Sequence, residues 1–174
     1  ESEGGLAAFG EATSHVRGIH ENHITELLSH HRGGSTMQLT ITPNFAQERA
    51  LNMLRRDWKA NDTFMVYAPT GSGKTGLAAF IAAGFVSRGM RVLFCAPYTI
   101  LIGQTANRFV EYGLPGEEIG YIWADHPNYD PSLKIQIASA DTLIRRVFPD
   151  NIDLLIIDEA HLRKKRILQD IERL

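Results

Sequence analysis

The sequence has a single cysteine, Cys95, so no disulfide can form within the chain, and a small stapled scaffold of the secreted kind is excluded. That cysteine lies inside an apolar run, and a reducing, intracellular (cytoplasmic) setting is the expectation. Long hydrophobic stretches are missing too. None approaches the roughly 20 apolar residues of a membrane-spanning helix, and no signal-peptide pattern is present, so no membrane partner is expected. Excess charge of either sign is absent: 18 Lys and Arg stand against 20 Asp and Glu, a formal net charge of −2. The chain as a whole therefore exerts no pull on nucleic acid, and any such binding must come from a local surface. Metal-binding spacing is lacking as well. Five of the seven histidines (His15, His20, His23, His30, His31) fall within residues 1–36. They have no cysteine, no glutamate at an HExxH spacing and no carboxylate on the same helix face, so they read as solvated helix residues.

What is present suits one globular domain, with 174 residues of which 44% are hydrophobic. Residues 1–36 differ from the rest. They show no strand-like run, a short amphipathic helix is expected near 19–31, and Gly33-Gly34-Ser35-Thr36 reads as a flexible joint. Met37 is the expected native start and 1–36 an extra or foreign leader, which leaves 37–174 as the domain proper. Gln38–Thr42 alternates like a short strand. Thr42-Pro43 is a helix start, and Ala46, Ala50, Leu54 and Trp58 form the expected buried stripe. From there apolar runs (63–67, 91–96, 118–123, 134–138 and 153–157) alternate with helical patterns, one beginning at Pro97 and one capped by Ser139. Strand alternating with helix predicts an α/β fold with a doubly wound parallel sheet, in which ligands gather at the carboxyl ends of the strands.

Two stretches carry chemistry at those ends. Ala68-Pro69-Thr70-Gly71-Ser72-Gly73-Lys74-Thr75 joins an apolar strand to an apolar helix. Gly71 and Gly73 let the backbone curl so that its N–H groups face phosphates, and the helix N-terminus adds its dipole. Lys74 is placed to reach the β and γ oxygens, and the Thr75 hydroxyl to sit on Mg²⁺. With Thr70 and Ser72 these residues form the expected ATP cradle. Asp158-Glu159 directly follows four apolar residues. Asp158 is the expected holder of Mg²⁺, through water, and Glu159 the residue that polarises the water attacking the γ-phosphate. A pair of acids after a strand can also cap the next helix. Beside a phosphate loop, the second carboxylate points to hydrolysis.

Ala68-x-Thr70-Gly71-x-Gly73-Lys74-Thr75 and Asp158-Glu159-Ala160-His161 resemble motifs I and II of superfamily 2 helicases of the DEAD/DEAH type. The resemblance spans about residues 40–174 and implies a RecA-like P-loop ATPase domain, incomplete at its C-terminal end. It extends to weaker motifs. Pro43-x-x-Ala46-Gln47 resembles the glutamine motif, which implies that Gln47 reads the adenine edge. Pro97-x-x-x-Leu101-x-x-Gln104 has the spacing of motif Ia, which touches the nucleic-acid backbone. Tyr98-Thr99-Ile100 replaces the family's usual Thr-Arg-Glu, leaving hydroxyls and helix N–H groups as contacts. Ile137–Leu143 resembles the Ib segment of the branch with phage recombination helicases and restriction-enzyme motors, and implies contacts from Ser139 and Thr142, with helix capping as the alternative. The same resemblance implies that His161 couples the nucleotide site to motif III or to the second domain. Arg163-Lys164-Lys165-Arg166 reads as a solvated helix face more than as a nucleic-acid patch.

The resemblance also implies partners: nucleic acid, with DNA preferred over RNA by the family branch alone, and a second RecA-like domain carrying an arginine finger worth about 10³–10⁵ in turnover. Motif III, which that family places between the phosphate-loop strand and the Asp-Glu strand, is not found before Leu174. Two strands should therefore lack their shared neighbour, with 38–42 as one candidate to fill the gap. The expected function is the ATP-binding front domain of a DNA helicase or translocase, with little turnover by itself. A phage-encoded motor acting in a host cytoplasm fits that branch. A catalytically silent nucleotide or nucleic-acid binding module and a P-loop ATPase outside the helicases are the alternatives.

Overall fold

The computed structural model describes residues 3–10, 37–61, 63–123, 129–145 and 149–160, with 3–10 and 144 as backbone alone. Among these residues six strands form one sheet: β1 (Glu3–Gly10), β2 (Thr63–Pro69), β3 (Val92–Ala96), β4 (Ile119–Ile122), β5 (Ile135–Ser139) and β6 (Leu154–Asp158). Helices α1 (Phe45–Asp57), α2 (Lys74–Val86), α3 (Leu101–Glu111) and α4 (Ala140–Arg145) lie between them in the chain. The spatial order is β2-β1-β6-β3-β5-β4. Strands β6, β3, β5 and β4 pair in parallel, while β1 is antiparallel to both its neighbours. All strands except β1 therefore run the same way, which is the expected α/β architecture.

Every residue of β3 and β5 is buried, because helices and loops cover the sheet on both sides. On one face Val92, Phe94, Ile135, Ile137, Leu154 and Ile156 pack under the helices. On the other, Leu93, Cys95, Ala138, Leu155 and Ile157 form a smaller cluster with Ile122 and Ile152. Helix α2 is buried without interruption from Gly76 to Ala83, so it is apolar all round rather than amphipathic. The ring of Phe94 meets Phe109 of α3 edge-on at 5.4 Å, and Trp58 stacks on Phe64 at 5.0 Å. Such pairs add about 0.5–1.5 kcal/mol each beyond burial.

The amino ends of the strands are tied together by Arg91. Its backbone N–H donates to Asp153 Oδ2 at 2.7 Å, its Nη1 to the Asp150 carbonyl at 2.9 Å, and its Nη2 to the Pro131 carbonyl. Ahead of β5, the Ser132 hydroxyl and N–H both donate to Asp130 Oδ1 and hold that carboxyl below the usual aspartate range.

Several expectations are corrected. Residues 1–36 do contain a strand: β1 fills the gap between β2 and β6, with Leu6 opposite both Val66 and Asp158. Residues 38–42 form no strand. They are held instead against the end of α3, where Thr40 N–H donates to the Tyr112 carbonyl at 2.9 Å and Thr40 Oγ1 to the Glu111 carbonyl at 2.7 Å. Helix α1 is capped by Asn44 rather than Thr42, and this sets its phase. Its buried face is therefore Gln47, Leu51 and Leu54, while Ala46 is exposed. Helix α3 begins at Leu101 rather than at Pro97, after a turn in which Leu101 N–H donates to the Tyr98 carbonyl at 3.0 Å. The helix expected near 19–31, His161 and Arg163–Arg166 lie outside the described residues.

Candidate nucleotide and nucleic-acid site

Strand β2 ends at Pro69, and the chain turns through Thr70-Gly71-Ser72 before α2 begins at Lys74. The Ser72 N–H closes that turn on the Pro69 carbonyl at 3.2 Å. Gly71 and Gly73 both have left-handed backbones, φ 82° and 86°, a conformation that a Cβ disfavours. Gly73 is the N-cap of α2 and makes no side-chain cap bond. First-turn N–H groups of a helix have no intrahelical acceptor, and they face the turn where an anion would sit.

Strand β6 brings Asp158 to the same edge of the sheet. Glu159, just beyond it, also has a left-handed backbone, φ 51°, and its N–H donates to Asp158 Oδ1 at 3.0 Å. For a residue with a side chain that conformation costs about 1–2 kcal/mol. Strands β2 and β6 are separated by β1, a gap of two strand spacings or about 9–10 Å. The long Lys74 side chain spans it. Its Nζ donates to the Ala68 carbonyl at 3.2 Å and stands 3.9 Å from Glu159 Oε1. Both stretches singled out in the sequence thus meet through one cation.

Gln47 holds the loop from the other side. Its Nε2 donates to the Gly73 carbonyl at 2.8 Å, and its Oε1 accepts the Asn44 N–H at 2.8 Å. Asn44 completes a capping box by accepting the Gln47 N–H at 2.9 Å, and its Nδ2 reaches the Ser72 carbonyl at 3.4 Å. The role of Asn44 was missed in the sequence, although Asn-x-x-Gln is a recognisable capping-box pattern. Beside this contact a cleft of about 490 Å³ is lined by Phe45, Gln47, Arg49, Tyr67, Gly73 and Lys74, among others.

The residues expected at a nucleic-acid contact lie farther along the same edge. Ala96, the last residue of β3, is paired with Ser139, the last of β5. Three hydroxyls link the segments beyond these two strand ends: Thr99 Oγ1 donates to Ser139 Oγ at 3.2 Å, and Ser139 Oγ lies 2.9 Å from Thr142 Oγ1. Ser139 Oγ also accepts the Thr142 N–H at 3.2 Å, which starts α4. Ser139 and Pro97 are buried, whereas Tyr98 and Gln104 are exposed and Thr99 and Thr142 half-buried. Among the described residues no helix is long and apolar enough to cross a membrane.

A family profile described as "Type III restriction enzyme, res subunit" matches residues 40–173. The ATP-dependent DNA helicase RecG of Escherichia coli (strain K12) is 31% identical over 137 residues, which cover 71% of this chain and 20% of that protein. The ATP-dependent RNA helicase DHX33 of Drosophila melanogaster is 26% identical over 161 residues, covering 88% of the chain and 23% of DHX33. Competence protein ComFA of Bacillus subtilis (strain 168) is 25% identical over 114 residues, 66% of the chain and 24% of ComFA. The chain therefore spans 20–24% of the length of these relatives. With the phosphate loop and the Asp158-Glu159 pair at one edge of a parallel sheet, and the family profile covering most of the sequence, the chain belongs to the Type III restriction enzyme res-subunit family, the N-terminal RecA-like domain of superfamily 2 helicases.

Proposed function

We propose that this chain is the ATP-binding front domain of an ATP-dependent DNA helicase or translocase that hydrolyses ATP to move on nucleic acid. The observation that carries the reading is the 3.9 Å approach of Lys74 Nζ to Glu159 Oε1, which joins a phosphate cradle to a candidate hydrolytic carboxylate. In this reading the open loop formed by Thr70, Gly71, Ser72 and Gly73 holds the phosphates, and Lys74 moves from Glu159 onto the β and γ oxygens. Glu159 is then left to orient the attacking water.

Asp158 and the Thr75 hydroxyl are the residues that would hold Mg²⁺. Among the described residues no group of three or more His, Cys, Asp or Glu could hold a metal ion alone. A donor set of one carboxylate and one hydroxyl suits Mg²⁺, which keeps several waters and takes one or two carboxylates plus substrate phosphates. The ion would supply charge neutralisation at the phosphates.

The cleft beside Gln47 suits the base and ribose. Two of the four hydrogen-bonding positions of the Gln47 amide are used by Gly73 and Asn44, which leaves one N–H and one lone pair for an adenine edge. His161 and a second RecA-like domain with an arginine finger complete the proposed cycle, so the chain by itself turns over slowly. DNA is favoured over RNA because the RecG relatives are named as DNA helicases and match at the higher identity.

The test is ATP hydrolysis by the complete protein with and without DNA. Stimulation by DNA that Lys74→Ala or Glu159→Gln abolishes is the expected result. Hydrolysis indifferent to any nucleic acid would sink the reading in favour of a P-loop ATPase outside the helicases.

A further inference from the structure

Helix α3 runs out at Tyr112 and Gly113, and its last carbonyls need partners from beyond the helix. Two are met locally: the Leu114 N–H donates to the Phe109 carbonyl and the Gly113 N–H to the Val110 carbonyl, both at 2.9 Å. The next two, Glu111 and Tyr112, are taken by one distant residue. Thr40 donates its hydroxyl to the first at 2.7 Å and its N–H to the second at 2.9 Å. The approach is close. A Cβ on Gly113, φ 100°, would lie 3.0 Å from Thr40 N, 3.2 Å from Leu39 Cα and 3.3 Å from the Gln38 carbonyl oxygen. All three atoms are backbone, so room for that Cβ requires the 38–40 segment itself to move.

The far end of the same segment sits on the phosphate loop. Met37, Leu39 and Ile41 pack against the core, and a Cβ on Gly76 in the first turn of α2 would lie 3.6 Å from Ile41 Cδ1. Pro43, with its fixed φ, leads into Asn44, the cap of α1. Asn44 and Gln47 then bond the Ser72 and Gly73 carbonyls. Residues 40–44 therefore form a short tie between the end of α3 and the loop.

We propose that Thr40 and Gly113 are positioning residues for the nucleotide site: the clasp of Thr40 on the end of α3, which only a glycine at 113 admits, holds Asn44 and Gln47 against the loop. The inference rests on the nucleotide-binding reading and adds to it residues that touch no nucleotide. The physical route is preorganisation. With its carbonyls bonded to Asn44 and Gln47, the loop keeps one conformation before any anion arrives, and little ordering cost falls on binding. A shifted tie releases the loop in a fraction of molecules, and apparent affinity falls in proportion to the competent fraction that remains.

The experiment uses the complete protein, a fluorescent ATP analogue with Mg²⁺ and anisotropy titration, with thermal melts of every variant. Gly113→Ala should weaken binding by about 2- to 10-fold, the worth of one neutral hydrogen bond. Gly89→Ala is the matched control. Gly89 follows α2 with a similar left-handed backbone, φ 78°, but a Cβ there would meet nothing within 4 Å. It should lower the melting temperature comparably and leave the affinity unchanged. Thr40→Val removes the hydroxyl bond and should also weaken binding, whereas Thr40→Ser should bind as the parent does. In a Gln47→Ala background Gly113→Ala should have no further effect on affinity, because the contact it disturbs is already gone.

Parent-like binding by Gly113→Ala, an equal loss in Gly89→Ala, or a full additional loss in the Gln47→Ala background would overturn the inference and leave the nucleotide reading standing. If Gly113→Ala fails to fold, the Thr40 pair decides, and equal affinities of the valine and serine variants would overturn it. No binding of the analogue by the parent would remove the nucleotide reading, and this inference with it.

Discussion

Gln47 Nε2 donates to the Gly73 carbonyl oxygen at 2.8 Å, so one amide joins the start of α1 to the turn that begins α2. The same carbonyl accepts the Leu77 N–H at 3.0 Å, and it keeps a partner if the amide is removed. Gln47→Ala should therefore cost only about 1–2 kcal/mol, from the capping box and one lost bond, read as a lower urea midpoint at unchanged slope. Gln47→Glu should cost more, because it turns a carboxylate oxygen toward a carbonyl oxygen.

The close packing of that amide makes a second prediction whose sign reverses. A Cβ on Gly76 would lie 2.8 Å from Gln47 Nε2 and 3.6 Å from Ile41 Cδ1. In the parent, Gly76→Ala should destabilise despite the roughly 1 kcal/mol advantage of alanine in a helix. In a Gln47→Ala background it should be neutral or stabilising. A double-mutant cycle with additive effects would show that the amide does not set this position.

Gly73 is more demanding, since its φ is 86° and a Cβ would meet Gln47 Nε2 at 2.5 Å. Gly73→Ala should leave the sheet folded by circular dichroism and lose binding of a fluorescent ATP analogue. Retained nucleotide binding would contradict the placement of this turn.

Lys74 and Glu159 should separate binding from turnover in the complete protein. Lys74→Ala should lose nucleotide affinity. Glu159→Gln should keep it and slow phosphate release by about 10²–10⁴-fold. Equal loss of affinity in both would mean that the 3.9 Å contact between them only supports the loop.

Core and cleft aromatics should differ sharply. Phe94 is buried against Phe109, and Phe94→Ala should cost about 3–5 kcal/mol in chemical denaturation. Phe45 is 80% exposed at the mouth of the cleft, and Phe45→Ala should change stability by no more than about 0.5 kcal/mol. If the base sits there, the second variant weakens ATP binding.

The phosphate loop was readable because its requirements are local. Two glycines, a lysine and a threonine between an apolar strand and an apolar helix leave few other conformations, and the structure has left-handed backbones at Gly71 and Gly73. The core strands were readable for a related reason. Runs such as Val92–Ala96 and Leu154–Ile157 are short and apolar without alternation, which suits a strand covered on both faces, whereas the longer apolar run of α2 is a buried helix. Local pattern failed where its signal was weak. Gln38–Thr42 alternates as a strand does, yet Thr40 bonds to the Tyr112 and Glu111 carbonyls at the end of α3 instead of to a strand.

By itself the sequence determined the glycine-rich turn between β2 and α2, the α/β order and the position of the acid pair, since each depends on residues adjacent in the chain. Tertiary structure alone decided three things. It inserted the glycine- and alanine-rich Glu3–Gly10 between β2 and β6, a pairing set by two open strand edges rather than by propensity. It turned Gln47 onto the Gly73 carbonyl, and it set Lys74 against Glu159 across that inserted strand. These are contacts between residues 26 or more positions apart, and no local pattern encodes their geometry.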